Sequence, residues 1–244
     1  MIQLDSPLHT SITTVDTTSE TTNTTKLVSY TSRVSPWLTP FVYFLGRKLV
    51  FPFYFGRISV TGQSNLPTSG PVILAPTHRS YWDSLLVANA TGLGVTGRHP
   101  RFMVSVDHCK GVKGWFIERL GGFPVDTKRP AITTLRHGVE ILQQGEMLVI
   151  FPEGDIYRDG YVQPLKPGIA RLALSAELSQ PGLGVKIVPI GVSYNSSYPT
   201  WGSNANLHIG SALSVADYHT GSIKQDAKHL TQDLESALKQ LTSS

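Results

Sequence analysis

One cysteine, Cys109, in 244 residues excludes an internal disulfide and any multi-cysteine metal site, and fits a reducing compartment. Charge is scarce as well: Asp, Glu, Lys and Arg make up 16% of the chain, against about 25% in ordinary soluble domains. The eight histidines show no H-E-x-x-H or comparable ligand spacing, so no metal is expected. No G-x-S-x-G elbow occurs, which argues against a serine hydrolase. No Lys/Arg cluster alternates with aromatic residues, so nucleic acid is not an expected partner. What charge there is leans basic, with a net +4 and a pI near 9.2. That balance suits a protein lying on an anionic membrane surface.

The apolar content of 40% belongs to a folded chain, and its length is enough for one sizeable core. Residues 1–33 are rich in Ser and Thr with little apolar periodicity, and are expected to be a disordered tail. They lack the basic start and apolar stretch of a secretory signal. Residues 34–56 carry a dense aromatic run broken by Pro36, Pro40 and Pro52 and by the basic pair Arg47–Lys48. A spanning helix needs about 20 mostly apolar residues without central charge, so this is a poor span. Two readings stay open for it: an interfacial anchor with its rings at headgroup depth, or a helix packed on the domain.

From residue 57 to 244, short β-type runs alternate with helical patterns. Strands are expected at 58–60, 72–75, 102–106, 123–125, 147–151, 187–192 and 205–209, and helices near 81–91, 111–119, 131–144, 168–179 and 223–242. Such alternation predicts an α/β fold, a largely parallel sheet flanked by helices. Gly92-Leu93-Gly94-Val95-Thr96-Gly97 matches a dinucleotide fingerprint by letter. It follows a helical pattern and opens no helix, so the match is rejected.

Behind the run Val72-Ile73-Leu74-Ala75 stands His78-Arg79-Ser80-Tyr81-Trp82-Asp83, an H-x4-D element. A neutral imidazole can take a proton from an alcohol while a carboxylate on its other nitrogen fixes the tautomer. On one ideal helix the two residues would lie about 140° apart, so His78 belongs in the turn before the helix and Asp83 in its first turn. Asp83 also completes an S-x-x-D capping box with Ser80. Three further blocks follow, each at the C-terminal end of an expected strand, where α/β sheets place ligands. They are Gly121-Gly122-Phe123-Pro124-Val125-Asp126-Thr127-Lys128-Arg129, Phe151-Pro152-Glu153-Gly154-Asp155-Ile156-Tyr157-Arg158 and Val188-Pro189-Ile190-Gly191-Val192.

Four blocks in this order resemble the glycerolipid acyltransferase family, from about Ile58 through Gly210. The resemblance implies transfer of a fatty acyl group from a thioester to the hydroxyl of 1-acyl-glycerol-3-phosphate, giving phosphatidate. It makes His78 the general base, Asp83 its orienter, and Glu153 and Gly154 part of the acceptor pocket. Gly122, Phe123 and Arg129 of the second block, with Arg158 and Lys166, are the further expected substrate contacts. The thioester is acyl-CoA or acyl carrier protein, with no cofactor and no acyl-enzyme, and the expected location is the cytoplasmic face of a membrane.

Two departures bear on the acceptor. Asp155 and Ile156 follow Glu153-Gly154 where the family usually has a small hydroxyl residue and Arg, and Ser105 stands about where phosphate-binding members carry Lys. Another hydroxyl acceptor, and a non-catalytic membrane-binding module on the same fold, therefore stand beside the leading reading.

Overall fold

The computed structural model describes residues 34–126 and 131–243. The Ser/Thr-rich tail 1–33 and Arg129 lie outside the described residues. Eight strands form one sheet: β1 (Ile58–Thr61), β2 (Val72–Pro76), β3 (Pro100–Ser105), β4 (Gly122–Val125), β5 (Met147–Val149), β6 (Lys186–Tyr194), β7 (Ala205–Ile209) and β8 (Leu213–Ser214). Their order is β1-β7-β6-β2-β5-β3-β4, with β8 also pairing β6. Strands β2 to β6 run parallel, while β7 and β8 pair β6 antiparallel and β1 follows β7.

Parallel neighbours need crossovers, and these hold the helices. They are α3 (Trp82–Thr91) and the short α4 (Leu93–Thr96) after β2, α5 (Gly111–Arg119) after β3, α6 (Ile132–Gln143) after β4 and α7 (Gly168–Ser179) after β5, while α8 (Ile223–Thr242) ends the chain. The rejected glycine fingerprint is the turn from α3 through α4, with no strand before it. Both faces of the sheet are covered, which is why Val72-Ile73-Leu74-Ala75 is apolar without alternation. Ile73, Leu148 and Ile187 pack with α6, α7 and α8. Val72, Leu74, Met147 and Val149 pack with α3 and with Phe51 and Phe55.

Those two phenylalanines come from the aromatic segment, which is helical from α1 (Leu38–Leu45) through a π-helical turn (Gly46–Val50) to α2 (Phe51–Tyr54). Its prolines do not break it. Pro40 lies in the first turn, where no intrahelical donor is needed, and Pro52 follows the widened turn. Leu38, Phe51 and Phe55 are buried on the domain, while Trp37, Phe41, Phe44, Leu49 and Phe53 are each more than half exposed. The segment thus packs on the domain and also presents an aromatic face.

Candidate functional site

The C-terminal ends of β2 and β5 lie side by side. As β2 leaves the sheet, Thr77 extends its pairing with β6: its N–H donates to Ile190 O at 2.9 Å, and its hydroxyl accepts from Val192 N at 2.9 Å. His78 therefore emerges at a fixed place. Its backbone N–H donates to Glu153 Oε2 at 2.7 Å, and its carbonyl accepts from Tyr157 N–H at 2.9 Å. Its ring stacks on Phe151, with centroids 3.9 Å apart. Nδ1 sits 2.9 Å from Asp83 Oδ2. An ionised carboxylate only accepts, so Nδ1 carries the proton and Nε2 is the acceptor nitrogen.

Asp83 is fully buried in the first turn of α3. Its Oδ2 also accepts from the backbone N–H groups of Arg79 at 2.5 Å and Ser80 at 2.7 Å, and its Oδ1 accepts from the Tyr194 hydroxyl at 2.6 Å. Ser80 Oγ in turn accepts from Trp82 N–H at 3.3 Å. The carboxylate that partners the histidine therefore also holds the turn that leads into α3.

His78 lines a cavity of about 770 Å³, within the usual range for ligand sites. Much of its wall is apolar, including Leu85, Phe102, Val104, Ile117, Ile150 and Leu172. Lys113, Lys166, His108 and Asp155 also line it. Among the described residues no group of three or more His, Cys, Asp or Glu side chains is placed to hold a metal.

The block residues divide. Gly154, Lys166 and Gly122 line the cavity. Gly154 has φ +76°, and a Cβ there would stand 2.5 Å from Lys166 Nζ. Gly154→Ala is expected to cost about 1–2 kcal/mol from backbone conformation alone and to push Lys166 aside, read as a lower melting temperature with a raised KM for acceptor. Gly122 has no room for a side chain against Ile117 of α5.

Three of the expected substrate contacts do not line this cavity. Phe123 is buried in the core instead, its ring centroid 4.9 Å from that of His137 in α6. Arg158 does not line the cavity; its guanidinium lies 4.6 Å from the Tyr198 ring centroid. Glu153 does not line it either, because its carboxylate is filled by the protein's own donors: Arg79 Nη1 at 3.0 Å to both oxygens, the His78 N–H, and the Gln163 N–H at 2.9 Å. Arg79 is 4% exposed and Glu153 1%. The pair forms the floor under His78.

Sequence reading missed Arg79, Phe151 and Tyr194 as neighbours of the His78–Asp83 pair, and Lys113 and His108 as cavity residues. Arg79 and Phe151 stand inside recognised blocks and Tyr194 two residues beyond the last. That adjacency was the available signal.

A family model described as Acyltransferase matches residues 57–193. The 1-acyl-sn-glycerol-3-phosphate acyltransferase of Bacillus subtilis is 24% identical over 76% of this chain and 88% of its own length. The chloroplastic enzyme of that name from Brassica napus, BAT2, is 26% identical over 66% of this chain but 44% of its own length. The crystal structure of the 1-acyl-sn-glycerophosphate acyltransferase PlsC from Thermotoga maritima superposes with a TM-score of 0.63 at 20% identity, covering 85% of this chain and 80% of that one. With more than half of the sequence matched, and His78, Asp83 and Glu153 inside the match, the chain belongs to the acyltransferase family.

Proposed function

We propose that the chain moves a fatty acyl group from a thioester to the free hydroxyl of 1-acyl-glycerol-3-phosphate, forming phosphatidate. The observation that carries this reading is His78, held through Nδ1 by a buried carboxylate on the wall of a largely apolar cavity. The names of the relatives from Bacillus subtilis and Brassica napus support the acceptor.

Nε2 takes the proton of the acceptor hydroxyl as its oxygen attacks the thioester carbonyl. The tetrahedral intermediate expels the thiolate, and the imidazolium returns the proton to sulfur. Asp83 holds the ring and stabilises the imidazolium. No acyl-enzyme is required. Cys109 does not line the cavity, and burial pushes its thiol pKa up, so it suits a bystander. The donor is acyl-CoA or acyl carrier protein, without a cofactor.

Lys166 and Lys113 are the cations lining the cavity among the described residues, and Lys166 is the one packed over the Gly154 turn. Charge-assisted hydrogen bonds contribute about 1.5–3 kcal/mol each. Lys166→Ala is therefore expected to raise KM for the phosphorylated acceptor at least tenfold while leaving KM for the thioester within twofold.

A donor-by-acceptor matrix tests the whole reading, with His78→Ala as blank. The highest kcat/KM is expected on 1-acyl-glycerol-3-phosphate. A tenfold preference for an unphosphorylated monoacylglycerol would favour the second acceptor class, for which Asp155 in the cavity wall is the motivating observation.

The same reading places the enzyme on a lipid surface, at the cytoplasmic face. Among the described residues no helix is long and apolar enough to cross a membrane. Trp37, Phe41, Phe44 and Phe53 beside Arg47 and Lys48 match interfacial binding, with rings at headgroup depth and cations at lipid phosphate.

A further inference from the structure

Strand β6 overruns β2. Their strand register ends at Pro76 with Ile190, Thr77 adds bonds to Ile190 and Val192, and β6 continues to Tyr194. The overhang carries the Tyr194 phenol to the first turn of α3, where its hydroxyl donates to Asp83 Oδ1 at 2.6 Å. The two oxygens of Asp83 therefore have separate duties, Oδ2 serving His78 and two backbone N–H groups, and Oδ1 serving Tyr194. Resting on the reading of His78 as base, we propose that Tyr194 is a positioning residue for acyl transfer. Its hydroxyl pins the Asp83 carboxylate and, through that carboxylate, sets the proton affinity of His78.

Three observations support this. Asp83 is fully buried, so an oxygen deprived of its donor has no water to turn to. The phenol is itself held in place: its ring stacks on Phe55 with planes 15° apart, and the neighbouring Tyr54 stacks on Trp82 at 4.4 Å. Burial and then the Asp83 charge push the Tyr194 pKa up, so it remains a donor at working pH.

The groups facing these side chains are few. Asp83 meets His78, Tyr194 and the Arg79 and Ser80 amides. Tyr194 is further influenced by the Ser80 hydroxyl and Tyr54. His78 is backed by Glu153 through its amide, with Arg79 beyond, and shares the cavity with Lys113, Lys166, His108 and Asp155.

Tyr194→Phe removes one oxygen and keeps the ring. With that donor gone the carboxylate charge is less compensated and stabilises the imidazolium more strongly. In the full-length chain labelled with 15N-histidine, the resonance that disappears in His78→Ala is followed against pH. Its titration midpoint is expected to move to higher pH in Tyr194→Phe. The acid limb of kcat/KM, measured with 1-acyl-glycerol-3-phosphate and palmitoyl-CoA, should move the same way. A kcat about tenfold lower with both KM values within twofold would mark lost positioning. Phe55→Leu loosens the stack but keeps the hydroxyl, so it is expected to leave the midpoint at its wild-type value. An unmoved midpoint in Tyr194→Phe, or an equal shift in Phe55→Leu, overturns the role of Tyr194 while leaving His78 untouched. Activity of His78→Ala within tenfold of wild type overturns the base itself, and the catalytic part of this inference with it.

Discussion

Replacing His78 with alanine is expected to lower kcat by roughly 10²- to 10⁴-fold, the usual contribution of a general base, while both KM values stay within a few-fold. The fold should survive. The bonds that anchor residue 78, its N–H to Glu153 and its carbonyl from Tyr157 and Arg79, are made by backbone atoms that alanine retains. Asp83 loses the imidazole but keeps two backbone donors and the Tyr194 hydroxyl, so its buried charge stays compensated. A melting temperature within a few degrees of wild type would confirm that the loss is chemical. Asp83→Asn should behave differently. The asparagine oxygen keeps the Arg79 and Ser80 N–H groups only with its NH2 turned to Tyr194, whose hydroxyl then loses its acceptor, and the neutral amide no longer stabilises the imidazolium, so this variant is expected to lose stability as well as turnover. Near-normal turnover in a well-folded His78→Ala protein would sink the proton-transfer scheme.

Periodicity carried the elements because both faces of the sheet are buried and each crossover is built around a regular helix. Hence Ile223–Thr242 and Gly168–Ser179 fall where the apolar pattern puts them. The separation of His78 and Asp83 also implied a turn followed by a helix, which the structure has. Direction was less legible than position. Strand β4 is too short to show which way Phe123 faces, and a matched block names Glu153 without saying whether its oxygens meet substrate or protein. Pro40 and Pro52 read as breakers, yet one sits where a helix needs no donor and the other follows a π turn. Least legible were partners brought in by strand order. Arg79 meets Glu153 because β2 pairs β5, and Tyr194 meets Asp83 because β2 also pairs β6. Nothing local in the sequence specifies either pairing.

Glu153→Gln tests the floor beneath the base. Breaking a buried pair from one side strands the other charge, at a cost of about 3–5 kcal/mol. Arg79 would keep its bonds to the His78, Tyr157 and Tyr161 carbonyls but lose its counter-ion. The amide nitrogen of glutamine would also face a backbone N–H, from His78 or Gln163, that needs an acceptor. For a chain of this size each kcal/mol lowers the melting temperature by about 2–4 °C, so a fall on the order of 10 °C is expected. Turnover should fall further than stability explains, because the amide that fixes His78 would be loosened and misplacement of about 1 Å can cost roughly 10²-fold. The paired variant Arg79→Met with Glu153→Leu separates the two effects. It removes both charges, so much of the lost stability should return, since apolar replacement of a buried pair is often neutral or better. Activity should not return, because the His78 N–H and carbonyl would still lack their side-chain partners. Recovery of stability and turnover together would show that the pair serves folding alone, whereas stability without turnover would assign it to holding the base.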